Sequence, residues 1–329
     1  MTHRGFPMNS RLMQYAVKNL VLKSAPSSQG GTEPLQDFYR DVCSLRLPPG
    51  EVPVEVRLPH SLKQYISPAH TAFRDLTPFG DGRFLGIEVY GRRIVAISCE
   101  HGIQSLPVEY DAFALTDTPD GFACIATNQQ LTVLSGDLII ERSRSLKDFG
   151  INANGATRIT AAADRYVVVV PETRNVFFVD EDLQLRNNVR LPHGSIVHDV
   201  VGYNGGVLLT ESVVSCNESG ALLWVSEQGE MISVFEGLER PFGISVYQEC
   251  VLVCDFRGLH FLHADGLVVS GHQCISWDAF AQKVHARSGY IYESIVQSDT
   301  VTTIVRLSSG GVSANTNFCL CEFDLNHIL

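Results

Sequence analysis

No apolar run in the chain reaches the roughly 18–20 residues that a membrane helix requires. Residues Met1 to Ser24 lack the compact apolar stretch and small-residue cleavage site of a secretory signal. The nine cysteines are odd in number and scattered (Cys43, Cys99, Cys124, Cys216, Cys250, Cys254, Cys274, Cys319, Cys321), and none forms a CxxC pair. That excludes a disulfide framework and argues against zinc, and it predicts a reduced, cytoplasmic setting in which most cysteines act as small hydrophobes. Positive charge is short: 25 Lys and Arg stand against 36 Asp and Glu, a formal charge of −11. Nucleic acid is excluded as a partner, because phosphate neutralisation needs clustered cations. Also absent are a Gly-x-Ser-x-Gly elbow, a P-loop, a dinucleotide-binding Gly-x-Gly-x-x-Gly and a His-Glu-x-x-His.

What is present is repetition. Arg240-Pro241-Phe242-Gly243-Ile244-Ser245-Val246, followed by the apolar runs Val251 to Cys254 and Gly258 to Ala264, reads as short strands joined by tight turns. Similar units open at Phe73, Phe113, Arg158, Val200, Ile244 and about Val284, spaced by 40, 45, 42, 44 and 40 residues. A sandwich needs no equal spacing, whereas blades around an axis do. The fold class is therefore all-β: a six-bladed β-propeller, with seven blades the alternative if residues 38 to 66 add more than one strand. Residues 1–39 are expected to form an extension, with a short helix over Leu12 to Leu22 and a Ser/Gly/Pro-rich linker over Ser24 to Pro34. Residues 40–329 form the propeller. It is expected to close on a blade shared by both chain ends, Val52 to Leu58 with Asn317 to Leu325, which removes an exposed sheet edge. In the sixth unit the strands are read as Lys283 to Ala286, Tyr290 to Val296 and Thr302 to Leu307.

Pro241, Gly243-Ile244, Val251-Leu252-Val253, Asp255 and Asp265-Gly266 together resemble the NHL repeat. The Asn154-Gly155 unit is similar to blades of the senescence-marker/gluconolactonase and strictosidine-synthase-like propellers. The latter resemblance implies a divalent cation, Ca²⁺ or Mg²⁺, on the axis. Its ligands would be Asn154, Asp199 and the Glu of Gly50-Glu51-Val52-Pro53-Val54, although Asp199 is followed by Val200 and not by the family's Gly.

In a propeller the residues around the start of each inner strand converge on one channel mouth. Those positions hold His70, Arg74, Asp75, Tyr110, Asp111, Asn154, Arg158, His198, Asp199, Arg240, Phe242 and Trp277. His198, Asp199 and Asp111 are the candidate acid–base groups. His70, Arg74, Asp75, Tyr110, Arg158, Arg240, Phe242 and Trp277 are the candidate substrate-binding walls and anchors. His198 and Asp199 should point to opposite faces of their strand unless a bulge intervenes. Two readings stay open. One is a small-molecule enzyme of lactonase, strictosidine-synthase-like or cyclase type. The other is a non-catalytic NHL-like scaffold that binds a protein through its top face.

Overall fold

The middle strands of the repeats are apolar at nearly every position, and the computed structural model gives the reason: each lies in a sheet covered on both faces by neighbouring sheets. The structure describes residues 53–327 apart from 60, 67–72, 81, 109, 163, 193, 214–218 and 309–315. The expected N-terminal helix and linker, and Glu51, lie outside the described residues.

Two short strands come first, β1 (Val54–Glu55) and β2 (Lys63–Ile66). Blade one follows as β3 (Phe73–Pro78), β4 (Phe84–Glu88), β5 (Arg93–Ser98) and β6 (Gly102–Ser105). Blade two is β7 (Ala112–Thr118), β8 (Gly121–Ala126), β9 (Gln130–Ser135) and β10 (Ile140–Ser145). Blade three is β11 (Arg158–Ala162), β12 (Arg165–Val170), β13 (Asn175–Asp180) and β14 (Leu185–Arg190). Blade four is β15 (Ser195–Tyr203), β16 (Gly206–Val213), β17 (Ser219–Val225) and β18 (Met231–Glu239). Blade five is β19 (Ile244–Tyr247), β20 (Cys250–Cys254), β21 (Gly258–Asp265) and β22 (Val268–Ser276). A helix, α1 (Trp277–Lys283), precedes blade six, which is β23 (Ser288–Gln297), β24 (Thr300–Ser308) and β25 (Thr316–Asp324).

The inner strands β3, β7, β11, β15, β19 and β23 pack each on the next, and β23 returns to β3. Each seam between blades holds its own apolar core. This double covering is why Val167 to Val170 run unbroken and fully buried, while the outermost strand β10, with solvent on one side, reads Ile-Glu-Arg-Ser-Arg-Ser. Among the described residues six cysteines are buried, and Cys124, Cys250, Cys254, Cys319 and Cys321 fill these cores as small apolar residues. Trp224 is buried too, and its indole N–H donates to the Tyr203 carbonyl at 3.0 Å.

In blade five, fully buried Asp255 fastens the turn between β20 and β21. Its carboxylate accepts the backbone N–H groups of Glu239 (2.8 Å), Arg257 (2.7 Å) and Gly258 (3.0 Å), and lies 2.8 Å from His260 Nε2. These donors outweigh the effect of burial and hold its pKa below the ordinary carboxylate value.

Two sequence expectations are corrected. Both chain ends do share a blade, but the closing strand is β2, antiparallel to β25 with Lys63 opposite Glu322 and Ile66 opposite Cys319. The Val52 to Leu58 segment goes elsewhere: β1 lies parallel to β22 and makes blade five five-stranded. Tyr65 explains the choice, since its ring packs against Phe318 and over Gly102, an anchor that the Val54–Glu55 pair lacks. In the sixth unit, Lys283 to Ala286 is the end of α1 and its exit, and Tyr290 to Val296 belongs to the innermost strand. The inserted helix displaces the repeat by one strand. No helix among the described residues is long and apolar enough to cross a membrane.

Candidate functional site at the channel mouth

Four inner strands are bulged: β3 between Arg74 and Thr77, β7 between Ala112 and Ala114, β15 between Val197 and Asp199, and β23 between Ile291 and Glu293. A bulge breaks the alternation of faces and re-aims the side chains beside it. On β15 it turns His198 and Asp199 into one cavity, and on β23 it does the same for Tyr292 and Glu293. The cavity has a volume of about 150 Å³ and is completed by Arg158, Phe242, Gly243, Tyr290 and Arg306. A larger depression of about 690 Å³ lies off the axis between β1 and α1, and no inner-strand residue lines it.

Arg158 is the electrostatic centre. Its Nε lies 4.0 Å from Asp75 and 3.9 Å from Asp199, and all three side chains are largely buried. One guanidinium nitrogen donates to the carbonyls of Ala156 (3.1 Å) and Thr157 (3.2 Å), and the other to the Tyr292 hydroxyl (3.4 Å). The two aspartates also join blades: Asp75 accepts the Leu115 N–H at 3.2 Å, and Asp199 accepts the Ile244 N–H at 3.0 Å. Asp75 sits at a left-handed φ of 54°, a conformation that Asp tolerates better than most residues.

Burial separates the protonation states. Desolvation lifts Asp199 to about 6 against the attraction of Arg158, with Asp75 pushing in the same direction as burial. Glu293 goes well above the ordinary carboxylate value, first through burial and then through Asp199 and Asp75. His198 falls to about 4, through burial and the nearby Arg158 charge. Burial thus favours the protonated form of Glu293 and leaves His198 a neutral imidazole at neutral pH. His198 Nε2 shares a hydrogen bond with Ser212 Oγ at 2.8 Å.

The remaining wall is aromatic. Phe242 stacks on Tyr290 at 4.5 Å between centroids and meets His198 edge-on at 5.8 Å. Phe256 backs it at 5.2 Å. Gly243 is there for space: a Cβ would meet Glu293 Oε1 at 2.5 Å and its Cα at 2.8 Å. Gly243→Ala is expected to cost about 1–3 kcal/mol by overpacking and to displace Glu293. Thermal melts read the first effect, and the Glu293 carboxyl titration by NMR the second; an unshifted titration would sink this account.

Of the residues singled out in the sequence, His198, Asp199, Arg158 and Phe242 line this cavity, and Asp75 joins them through Arg158. Others are placed elsewhere. Asp111 is exposed and bridges to Arg93, because it stands before β7 and not within it. The Tyr110 hydroxyl donates to Leu138 O at 3.1 Å inside the core between blades one and two. Trp277 opens α1 and packs on the core between blades five and six. Arg240 lies over the Phe256 ring at 5.5 Å, behind the cavity wall. Arg74 falls in β3, and His70 lies outside the described residues.

The proposed metal ligands do not fit a cation. The Asn154 side-chain oxygen accepts the Ala156 N–H at 2.8 Å, a turn ahead of β11, and Asp199 faces Arg158. Among the described residues no three of His, Cys, Asp and Glu are arranged as ligands. Tyr290, Tyr292, Glu293 and Arg306 were missed. Their strand-like run was noticed, but the helix before it shifted it from inner to second strand.

No protein-family model and no curated protein matches the chain. Solved structures do. A streptogramin B lyase structure superposes with a TM-score of 0.51 at 9% identity, over 79% of this chain and 96% of that one. The fold is a six-bladed β-propeller. Catalytically inactive virginiamycin B lyase from Staphylococcus aureus with quinupristin gives 0.49 at 13% identity, over 76% and 80% of the two chains. Its selenomethionine-substituted counterpart gives 0.48 at 13% identity over the same shares. At these identities the likeness is one of fold.

Proposed function

We propose that the propeller is a small-molecule enzyme that moves protons at one mouth of its channel. The observation that carries this reading is a single cavity that brings Glu293 and His198 together beneath a wall of aromatic rings, where burial favours the neutral form of each. Such a pair accepts one proton from a substrate and returns one to a leaving or carbonyl oxygen. In the tautomer that donates Nε2–H to Ser212, His198 presents Nδ1 as the base. Ring opening by elimination and ring closure by addition both balance in this way with no further reactant, as in a lyase or a cyclase, whereas lactone opening would consume one water as co-reactant. Asp75 and Asp199 hold Arg158, and burial, reinforced by the Arg158 charge, keeps His198 unprotonated. The Pro241-Phe242-Gly243 segment supplies the aromatic wall and the room for Glu293.

The test is a screen of lactones and cyclisable aromatic substrates with the wild-type chain, His198→Ala and Glu293→Gln. Turnover is expected to fall roughly 10²- to 10⁴-fold in each variant. On the acid side the wild-type kcat/KM should hold until pH drops towards about 4, where His198 becomes protonated, and on the alkaline side it should fall as Glu293 loses its proton. A substrate turned over equally by all three proteins would remove the proposal. The scaffold reading finds less support, because the large exposed apolar residues are dispersed: Tyr90 on blade one, Ile139 and Ile140 on blade two, Ile196 on blade four, Val54 and Val268 on blade five, and Ile66 on blade six.

A further inference from the structure

Arg306 stands on β24 opposite Tyr290 and lines the cavity. Its guanidinium carbon sits 3.8 Å from the centroid of the Tyr292 ring, and Nη1 donates to the Tyr290 hydroxyl at 3.3 Å. Both contacts are with neutral groups. Among the described residues no carboxylate forms an ion pair with it, and its Nε–H is buried with no hydrogen-bond partner. The other cavity arginine differs: Arg158 already faces Asp75 and Asp199. A buried, unsatisfied N–H on a charged group costs free energy that an acceptor brought by a ligand would recover.

We propose that the ligand of this cavity carries an aromatic ring bearing an anionic group, a carboxylate in the simplest case, and that Arg306 is the residue that binds the anion. This rests on the reading of the cavity as a small-molecule site. The volume of about 150 Å³ is of the order that accepts one benzene-sized ring. Phe242 and Tyr290, stacked at an interplanar angle of 23°, offer that ring a flat wall. Charge fixes the orientation. Asp199 and Asp75 make the Arg158 side unfavourable for an anion, so the carboxylate turns to Arg306 and the rest of the ligand faces His198 and Glu293. The Arg306 fork, with one nitrogen engaged by Tyr290, keeps its Nε–H edge for the incoming oxygen.

The probes are benzoate and its neutral isostere benzamide, titrated by ligand-observed NMR against the wild-type chain, Arg306→Gln, Arg306→Lys and Phe242→Ala. Wild type should bind benzoate roughly 10- to 100-fold more tightly than benzamide. Arg306→Gln should erase that preference, weakening benzoate far more than benzamide, and a cooperative thermal melt shows that the variant is folded. Arg306→Lys should keep part of the preference, and Phe242→Ala should weaken both probes. If wild type binds the two probes equally, and Phe242→Ala weakens both, the anionic assignment fails while the small-molecule site stands. If neither probe binds saturably to wild type, the assignment and the reading beneath it both fall.

Discussion

Replacing Arg158 with methionine is expected to lower stability by about 3–5 kcal/mol, the cost of removing one partner from a buried charge cluster. The change leaves Asp75 and Asp199 facing each other without the cation between them, and frees the Ala156 and Thr157 carbonyls and the Tyr292 hydroxyl. The deficit should depend on pH. Asp199 titrates at about 6, above its unfolded value, so its protonated form favours the fold and the penalty grows as pH rises through that region. Without Arg158 its pKa climbs further. The variant should therefore lie closer to wild type at pH 5 than at pH 8. Paired thermal melts would show it, with a fall in Tm on the order of 10 °C at the higher pH. An equal deficit at both values would mean that the cluster is not governed by these carboxyl groups.

A comparable loss is expected from Asp255→Ala, far from the cavity. The substitution strips the acceptor from three backbone N–H groups and from His260, all in or beside a buried turn. Each unsatisfied buried donor costs about 1–3 kcal/mol, so a total of at least about 3 kcal/mol is expected, and Tm should again fall by on the order of 10 °C. Asp255→Asn is the sharper control. It keeps one acceptor oxygen and should recover part of the loss, whereas a role in packing alone would leave the two variants alike. Urea denaturation at neutral pH separates these outcomes.

The fold was readable because its physics repeats. Each blade needs a middle pair of strands covered on both faces, so the apolar runs recur with the blade itself, and the equal spacing from Phe73 to Ile244 reports the ring. His198, Asp199, Arg158 and Phe242 were legible for the same reason, each standing at or near the start of an inner strand. Spacing could not show the bulges. By simple alternation His198 and Asp199 face opposite ways, and only the slipped register on β15 brings them together. Nor could it show α1, a one-off insertion that belongs to no repeat. Reading Lys283 to Ala286 as the first strand of blade six pushed Tyr290, Tyr292 and Glu293 outward by one strand and hid Arg306 with them. The ten-residue length of β23 and its Tyr-x-Tyr-Glu run were the available signals. Asp111 stands apart for a different reason: preceding an inner strand does not place a residue on the axis when its bridge partner, Arg93, opens β5, the third strand of blade one counted from the axis.

The pairing of β2 with β25 sets a timetable. Lys63 and its partner Glu322 are separated by most of the described chain, so the seam that completes the ring cannot form until synthesis has passed Glu322. At about 5–20 residues per second on a ribosome, that wait is on the order of ten to fifty seconds. Through it β2 must stay unpaired without finding a wrong edge. Its sequence suits this delay: Lys63, Gln64 and Ile66 remain exposed even in the finished blade, and only Tyr65 turns inward. A lysine on a waiting strand discourages pairing with other chains. This early strand of the last blade is thus kept soluble until its partner emerges, and ring closure becomes the last step in folding the propeller itself.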